Sequence, residues 1–142
     1  MRAICSLLSL ALLSGALAAQ PAYTTMQYGK SCGPVLDATF TSLGGDNAKL
    51  NVALTEAWPK SHSLTYWGVN NIVYPFPNGC TLYTLPVWQH PAMISAEGES
   101  TWQRAWPSSI YGYFNLQAAV FRFDAAGALE FELSNAVRIA HE

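Results

Sequence analysis

The sequence is poor in charged residues. Only 11% of its 142 residues are Asp, Glu, Lys or Arg, against about 25% in an average soluble domain. It contains no run of basic residues, and so lacks the patches with which proteins neutralise nucleic-acid phosphates or anionic lipid headgroups. We therefore expect no nucleic-acid partner, no membrane insertion of the mature chain, and a surface made polar by uncharged side chains.

Cysteine is scarce as well, with Cys5, Cys32 and Cys80 the only three. Cys5 lies in an N-terminal segment that we expect to be removed, and two cysteines left in an oxidising compartment pair by default. The bridge would close a loop of about 49 residues, which the chain-entropy model values at about 4 kcal/mol. Because no histidine stands at zinc-binding spacing, we predict a structural disulfide between Cys32 and Cys80, no metal site and no cofactor.

The N-terminal segment has the layout of a secretory signal peptide. Arg2 precedes an apolar run at residues 4–13, and the small residues Ala16 and Ala18 follow. The run is shorter than the roughly 20 residues that span a bilayer. We predict a signal peptide at residues 1–18 and one mature domain at residues 19–142, located outside the cell, in the periplasm or at the cell surface. Six basic and nine acidic residues then leave the mature chain a net charge of −3.

The apolar pattern favours strands over helices, since Pro and Gly recur and apolar residues alternate with a period of two. The clearest element is a C-terminal hairpin with strands at residues 117–123 and 128–133. Asp124 and Gly127 are the first and fourth residues of the connection, which favours a type I turn followed by a glycine bulge. This register puts Arg122 opposite Glu130, and we expect their face of the hairpin to be the solvated one.

Weaker candidate strands follow one another through the rest of the mature chain. Turn signals separate them at intervals of about 8 to 15 residues, and residues 70–79 are predicted to be a loop that delivers Cys80. We predict an all-β fold, a single-domain antiparallel β-sandwich or jelly roll. The candidate strands lie at residues 35–43, 49–58, 63–69, 81–88, 93–97 and 99–106.

Four short segments resemble, in this order, an uncharacterised secreted domain found at the C-termini of planctomycete and myxobacterial extracellular proteins. They are a Gly-rich Cys segment at residues 28–34, a Gly-Cys step within 77–82, a Gly-x-x-x-x-Gln-Ala pattern at 112–118 and Ser-Asn-Ala at 134–136. The resemblance spans nearly the whole mature chain. It implies export, a disulfide and a β-sandwich, and it implies no catalytic residue.

Aromatic residues are the only residue class present at an unusually high density, with five Trp and seven Tyr. A flat row of exposed rings can stack on sugars, whereas the same rings at strand alternation can instead fill a core. Trp88, Gln89 and His90 form the first candidate ligand-binding group, because they mix an aromatic ring with polar groups at a strand end. Trp102 and Trp106 form the second.

No catalytic constellation is evident. His62, His90 and His141 do not have the spacing of a local metal motif, and no Gly-x-Ser-x-Gly elbow is present. We therefore assign no catalytic residue and expect a protein that is not an enzyme.

Two carboxylate pairs and two amides also have structural explanations. Glu97 with Glu99, and Glu130 with Glu132, would each share a strand face, as glycosidase carboxylates can, but we favour a solvated face. Gly98 lies between the first two, so we expect that pair to mark a turn. The Gln of the third resemblance segment and the Asn of the fourth are expected to be buried amides that hold irregular strand edges.

Three hypotheses for function follow from these observations. The first is a non-catalytic exported module with a structural or protein-attachment role. The second is a carbohydrate-binding module that uses exposed tryptophans, and the third is a small extracellular hydrolase. The expected partner is a protein or a glycan at the cell surface.

Overall fold

The computed structural model describes residues 23–44, 47–106 and 112–141. The predicted signal peptide lies outside these residues. Within them, ten β-strands and no helix are present. The strands are β1 Tyr23–Tyr28, β2 Val35–Gly44, β3 Asn47–Thr55, β4 His62–Gly68, β5 Tyr74–Pro75, β6 Thr81–Leu82, β7 Trp88–Met93, β8 Ser100–Trp106, β9 Gly112–Phe123 and β10 Leu129–His141.

The strands form two main sheets and a small ribbon. The five-stranded sheet has the order β1-β10-β9-β4-β7, the three-stranded sheet has the order β2-β3-β8, and β5 pairs with β6. Every pairing is antiparallel. The structure confirms the predicted all-β antiparallel β-sandwich.

The core lies between the two main sheets and follows the period-two alternation of the strands. In β3, alternate residues from Ala48 to Leu54 are buried. Their counterparts on β9 include Leu116 and Val120, both with no exposed surface. Burying such a branched side chain contributes about 1.5–3 kcal/mol, so this layer supplies much of the stability.

The C-terminal hairpin turns as predicted. The Gly127 N–H donates to the Asp124 carbonyl at 3.0 Å, and the Asp124 N–H donates to the Ala128 carbonyl at 2.9 Å. Gly127 has φ = 80°, the left-handed conformation that favours glycine in a bulge. Arg122 pairs with Glu130 across the strands, with Nε 2.9 Å from Oε2.

The expectation that the Arg122 face of this hairpin is the solvated one is confirmed near the turn, where the Arg122 and Glu130 side chains are 47% and 42% exposed, but not further along β9. Arg122 lies two residues from the fully buried Val120, on the same inner face, whereas Phe123 is 71% exposed on the other face. Near the turn the inner face packs against Trp58, in the loop between β3 and β4, with the Arg122 guanidinium 4.0 Å from the indole centroid. A cation can lie on an aromatic ring there. Both faces of the hairpin are therefore exposed to solvent near the turn.

Several strand predictions are also corrected. Of residues 81–88, predicted as one strand, only the two residues of β6 and Trp88, the first residue of β7, are in strands. Residues 70–79, predicted as a loop, contribute β5. Of the predicted strand at residues 93–97, only Met93 is in a strand. Residues 95–98 form a turn in which Gly98 has φ = 85°, as expected for the Glu97 and Glu99 pair. The proline within β7 fits its position at the sheet edge, because an edge strand tolerates a missing N–H.

Candidate functional site

The candidate ligand-binding tryptophans belong to one aromatic cluster between β7 and β8, at one edge of the sandwich. Trp67 of β4 lies at its centre, with the rings of Trp102, Trp106 and Phe114 stacked against it at 5.9, 4.9 and 5.6 Å. Trp88 meets Trp67 edge-on at 5.0 Å. We call these five rings, together with His90, the aromatic cluster.

The rings pack on one another rather than forming a flat exposed row. Trp106 is 5% exposed and Trp88 is 40% exposed. The Arg104 guanidinium lies 4.4 Å from the Trp88 ring centroid and covers that ring. The indole nitrogens of Trp67, Trp102 and Trp106 are buried without a hydrogen-bond partner. Of the five tryptophans, all within the described residues, no two present the coplanar exposed faces that stacking on a sugar chain requires.

The polar members of the predicted group separate across the sheet. Strand alternation puts Gln89 on the outer face, opposite Tyr66. His90 points inward, with its ring 4.8 Å from that of Trp102, while His62 stacks on Phe121 at 6.0 Å. Neither His62 nor His90 is hydrogen-bonded to a serine or a carboxylate in the described part of the chain, so the geometry offers no nucleophile and base pair at either ring.

Cys32 and Cys80 form a disulfide, with their Cα atoms 5.1 Å apart. The predicted pairing is therefore confirmed. The Cys32 N–H donates to the Leu133 carbonyl at 3.0 Å, and the Leu133 N–H donates to Cys32 Sγ at 3.0 Å. The bridge thus lies on the edge of β10, in the half of that strand that β1 does not pair with.

Cys80 belongs to a long irregular hairpin, residues 69–87, that joins β4 to β7. At its base the Val87 N–H donates to the Trp67 carbonyl of β4 at 2.6 Å, and further along the Ile72 N–H donates to the Tyr83 carbonyl at 3.0 Å. Beyond these bonds its two arms pair as β5 and β6. At its tip the Phe76 N–H donates to the Cys80 carbonyl at 2.8 Å. We call this segment the 69–87 hairpin, and it covers the outer face of the five-stranded sheet.

Gln117 of β9 ties the 69–87 hairpin to this sheet. Its Oε1 accepts from the Tyr83 N–H at 2.8 Å, and its Nε2 donates to the carbonyls of Thr81 and Ser134, both at 2.8 Å. Gln117 has no exposed surface. Sequence reasoning predicted a buried amide here, but the partners become visible only in the fold.

Asn135 performs the matching role between the two main sheets. It lies where the pairing of β10 with β9 shifts register between Leu133 and Ala136. Its Oδ1 accepts from the Leu36 N–H at 2.8 Å and its Nδ2 donates to the Leu36 carbonyl at 2.9 Å. A bulge re-aims side chains in this way, so the amide acts as one more strand partner for β2.

The 69–87 hairpin exposes several large apolar side chains, and sequence reasoning missed this. Isolated exposed apolar side chains are common, but a concentration of them marks an interaction surface. The backbone pairing places Val69 close to Leu85, since the Gly68 and Leu85 backbones are in close contact. The exposed apolar residues of the hairpin are Val69, Val73, Tyr74, Leu85 and Val87, between 47% and 74% exposed.

A groove of about 550 Å³ runs beside the disulfide, between the tip of the 69–87 hairpin and the start of β10. We call it the edge groove. Burial raises the pKa of Glu132 above its ordinary value, since this effect outweighs the lowering by Arg122, and Glu130 raises it further. The residues that line the groove include Trp58, Phe76, Asn78, Arg122, Phe131 and Glu132.

The described residues contain neither a candidate metal-binding cluster nor a candidate membrane-spanning helix. Within residues 23–44, 47–106 and 112–141, no group of three or more His, Cys, Asp and Glu side chains could hold a metal ion. In the same residues no helix is long and apolar enough to cross a membrane.

Comparisons with known proteins add little. No protein-family model matches the sequence, and no curated protein matches it. One solved structure, the X-ray structure of Northeast Structural Genomics Consortium target SoR45, aligns with 84% of this chain and 86% of its own chain at 7% identity and a TM-score of 0.35. A similarity this weak carries no argument about fold or function.

Proposed function

We propose that the chain is an exported, non-catalytic attachment module that binds another protein through the outer surface of the 69–87 hairpin. One observation carries the proposal. The hairpin is fixed by a disulfide and by the Gln117 amide, yet it directs its apolar side chains towards solvent. A surface that is ordered before binding loses less conformational entropy when its partner arrives.

Export is part of this proposal. A disulfide is typical of proteins outside the reducing cytosol, and the signal-peptide layout of residues 1–18 supports the same compartment. As part of the proposal, the chain is of the same kind as the uncharacterised planctomycete and myxobacterial domain. Intact-mass analysis of the exported protein should give a mature N-terminus at Ala19 or Gln20, with two cysteines that alkylate only after reduction.

Site-specific photo-crosslinking tests the attachment surface. A photoreactive residue replaces Val87 in cells that export the chain, and the matched control replaces Thr101 on the exposed outer face of the three-stranded sheet. We expect a discrete cross-linked species with a second polypeptide from position 87 and none from position 101. No product from position 87, or the same products from both, would contradict the proposal.

The sugar-binding alternative makes a different prediction. If Trp88 or its neighbours bind glycans, a glycan array should give a reproducible signal, and a ligand from it should change tryptophan fluorescence. A signal that Trp88→Ala removes would favour the carbohydrate-binding module over the attachment module.

A further inference from the structure

The edge groove lies at the edge of a strand, but the backbone of that edge is already occupied. The Phe131 carbonyl accepts from Asn78 Nδ2 at 3.2 Å. Leu133 exchanges hydrogen bonds with Cys32 through both its N–H and its carbonyl. An added strand would have to displace these bonds, so the groups left to meet a ligand are side chains.

The three charged side chains that line the groove differ in their contacts. Arg122 is satisfied, since its Nε lies 2.9 Å from Glu130 and its guanidinium stacks on Trp58. The Glu132 carboxylate, by contrast, has no hydrogen bond or ion pair within the described residues, and it occupies the space above the Gly33 backbone that a Cβ there would fill. One Arg and two Glu leave the groove with one negative charge that no ion pair balances.

The walls of the groove are aromatic. The Phe76 and Phe131 rings meet edge-on with centroids 5.3 Å apart, and Trp58 closes the other side. Burial opposes the charged form of Glu132 and raises its pKa. A cation beside the carboxylate would relieve that cost, and an aliphatic stem would fit against the rings.

We propose that the edge groove receives a lysine side chain of the partner protein. The cationic head pairs with Glu132 and the aliphatic stem lies against Phe76 and Phe131. This inference rests on the proposed function, for which it supplies the chemistry of the partner: a segment with an exposed basic residue, which also complements the acidic net charge of the mature chain. The lysine ammonium is a compact charge, which a single carboxylate can pair with.

Titration of the mature protein by NMR tests this directly, with a short end-blocked Gly-Ser-Lys-Ser-Gly peptide and the same peptide acetylated on its lysine. The lysine peptide at millimolar concentration should shift the amide signals of Gly33, Phe131 and Glu132, and the acetylated peptide should not. Glu132→Gln preserves size and should weaken binding about tenfold or more. The matched control Asp37→Asn removes a carboxylate from the opposite sheet and should leave binding unchanged.

Three outcomes would overturn the inference. They are the absence of any shift at these amides, equal binding of the acetylated peptide, and equal affinity of the Glu132→Gln and Asp37→Asn proteins. Each outcome is separable from failure of the attachment surface, because the cross-link from position 87 does not require Glu132. A cross-link without peptide binding would reject the groove and retain the attachment module.

Discussion

The aromatic cluster and the 69–87 hairpin meet at the end of β4 but are held by different interactions. On the inner face, Trp67 contacts four rings, and its indole nitrogen has no hydrogen-bond partner. On the outer face, the hairpin depends on directed contacts, chiefly the disulfide and the Gln117 amide. The stabilising free energy of stacked rings is distributed over many contacts, whereas that of a disulfide or a buried amide depends on one residue. The first region should therefore fail together with the whole fold, and the second should detach locally.

Truncation at the centre of the aromatic cluster should have the largest effect. Trp67→Ala removes a ring with four ring neighbours and leaves a cavity, which should lower the free energy of unfolding by about 5 kcal/mol. Urea denaturation measures it, with Trp88→Ala at the exposed rim as the control. Equal losses in the two variants would show that the cluster has no structural centre.

Loss of the disulfide should rank second. Cys32→Ser with Cys80→Ser should lower the free energy of unfolding by about 4 kcal/mol on the chain-entropy model. If the hairpin detaches locally, limited proteolysis of the double variant should cut within residues 69–87 before the strands of the sandwich. Cleavage at the same rate throughout the chain would contradict local detachment.

Removal of the Gln117 amide should cost less but act at the same place. Gln117→Leu leaves the Tyr83 N–H and the Thr81 and Ser134 carbonyls without their partner, and we expect a loss of about 3 kcal/mol. Gln89→Ala, on the same sheet but exposed, should change stability by less than about 0.5 kcal/mol. A small effect of Gln117→Leu would mean that the disulfide alone positions the hairpin.

Arg104→Ala tests the covered rim of the aromatic cluster. It removes the cation from the Trp88 ring and should cost about 0.5–1 kcal/mol, with a change in tryptophan fluorescence. Gln103→Ala, the exposed neighbour on the opposite face, is the control. An unchanged emission spectrum would indicate that Arg104 does not cover the ring in solution.

Glu132 should give the smallest effect and the only one that stabilises. Because its pKa is raised in the folded protein, the folded state binds its proton more tightly than the unfolded state, and stability falls as pH rises through the ordinary and the raised pKa. Glu132→Gln cannot ionise, so it should be more stable than the parent at pH 7. Arg122 and Glu130 are the charged groups that act on Glu132, and Glu130→Gln, which loses the Arg122 pair, should not stabilise. The gain from Glu132→Gln should vanish at acid pH, and a gain that persists there would contradict this account.

Much of the fold could be read from local signals. The turn from Asp124 to Gly127 is specified by residue type, and the Cys32–Cys80 pairing by cysteine count and compartment. The strand lengths could not be predicted, because β10 continues through a bulge at Ser134 and Asn135 whose amide and hydroxyl bonds involve β2 and β9. The contact of Arg122 with Trp58 could not be predicted either, because Trp58 is distant in sequence.

The candidate site was less predictable than the fold. The high aromatic content of the sequence pointed to Trp88 and Trp102 as candidates. Sequence alone does not show that β7 and β8 pack both rings against Trp67. Residues 69–87 carry few strand signals, so neither their pairing nor their exposed apolar side chains could be read from the pattern. Glu132 looked like one of two solvated carboxylates. Only the fold shows that Glu130 pairs with Arg122 while the Glu132 carboxylate lies over Gly33.

Amide hydrogen exchange with the disulfide intact and after reduction tests the central claim, that the 69–87 hairpin is an ordered surface held by tethers. With the disulfide intact, the amides of Phe76, Tyr83 and Val87 should be protected. After reduction, Phe76 and Tyr83 should lose protection while Leu116 at the core keeps it, because local openings cost less than global unfolding. Rapid exchange across residues 69–87 with the disulfide intact would contradict the account, and so would loss of protection at Leu116 in step with the hairpin after reduction.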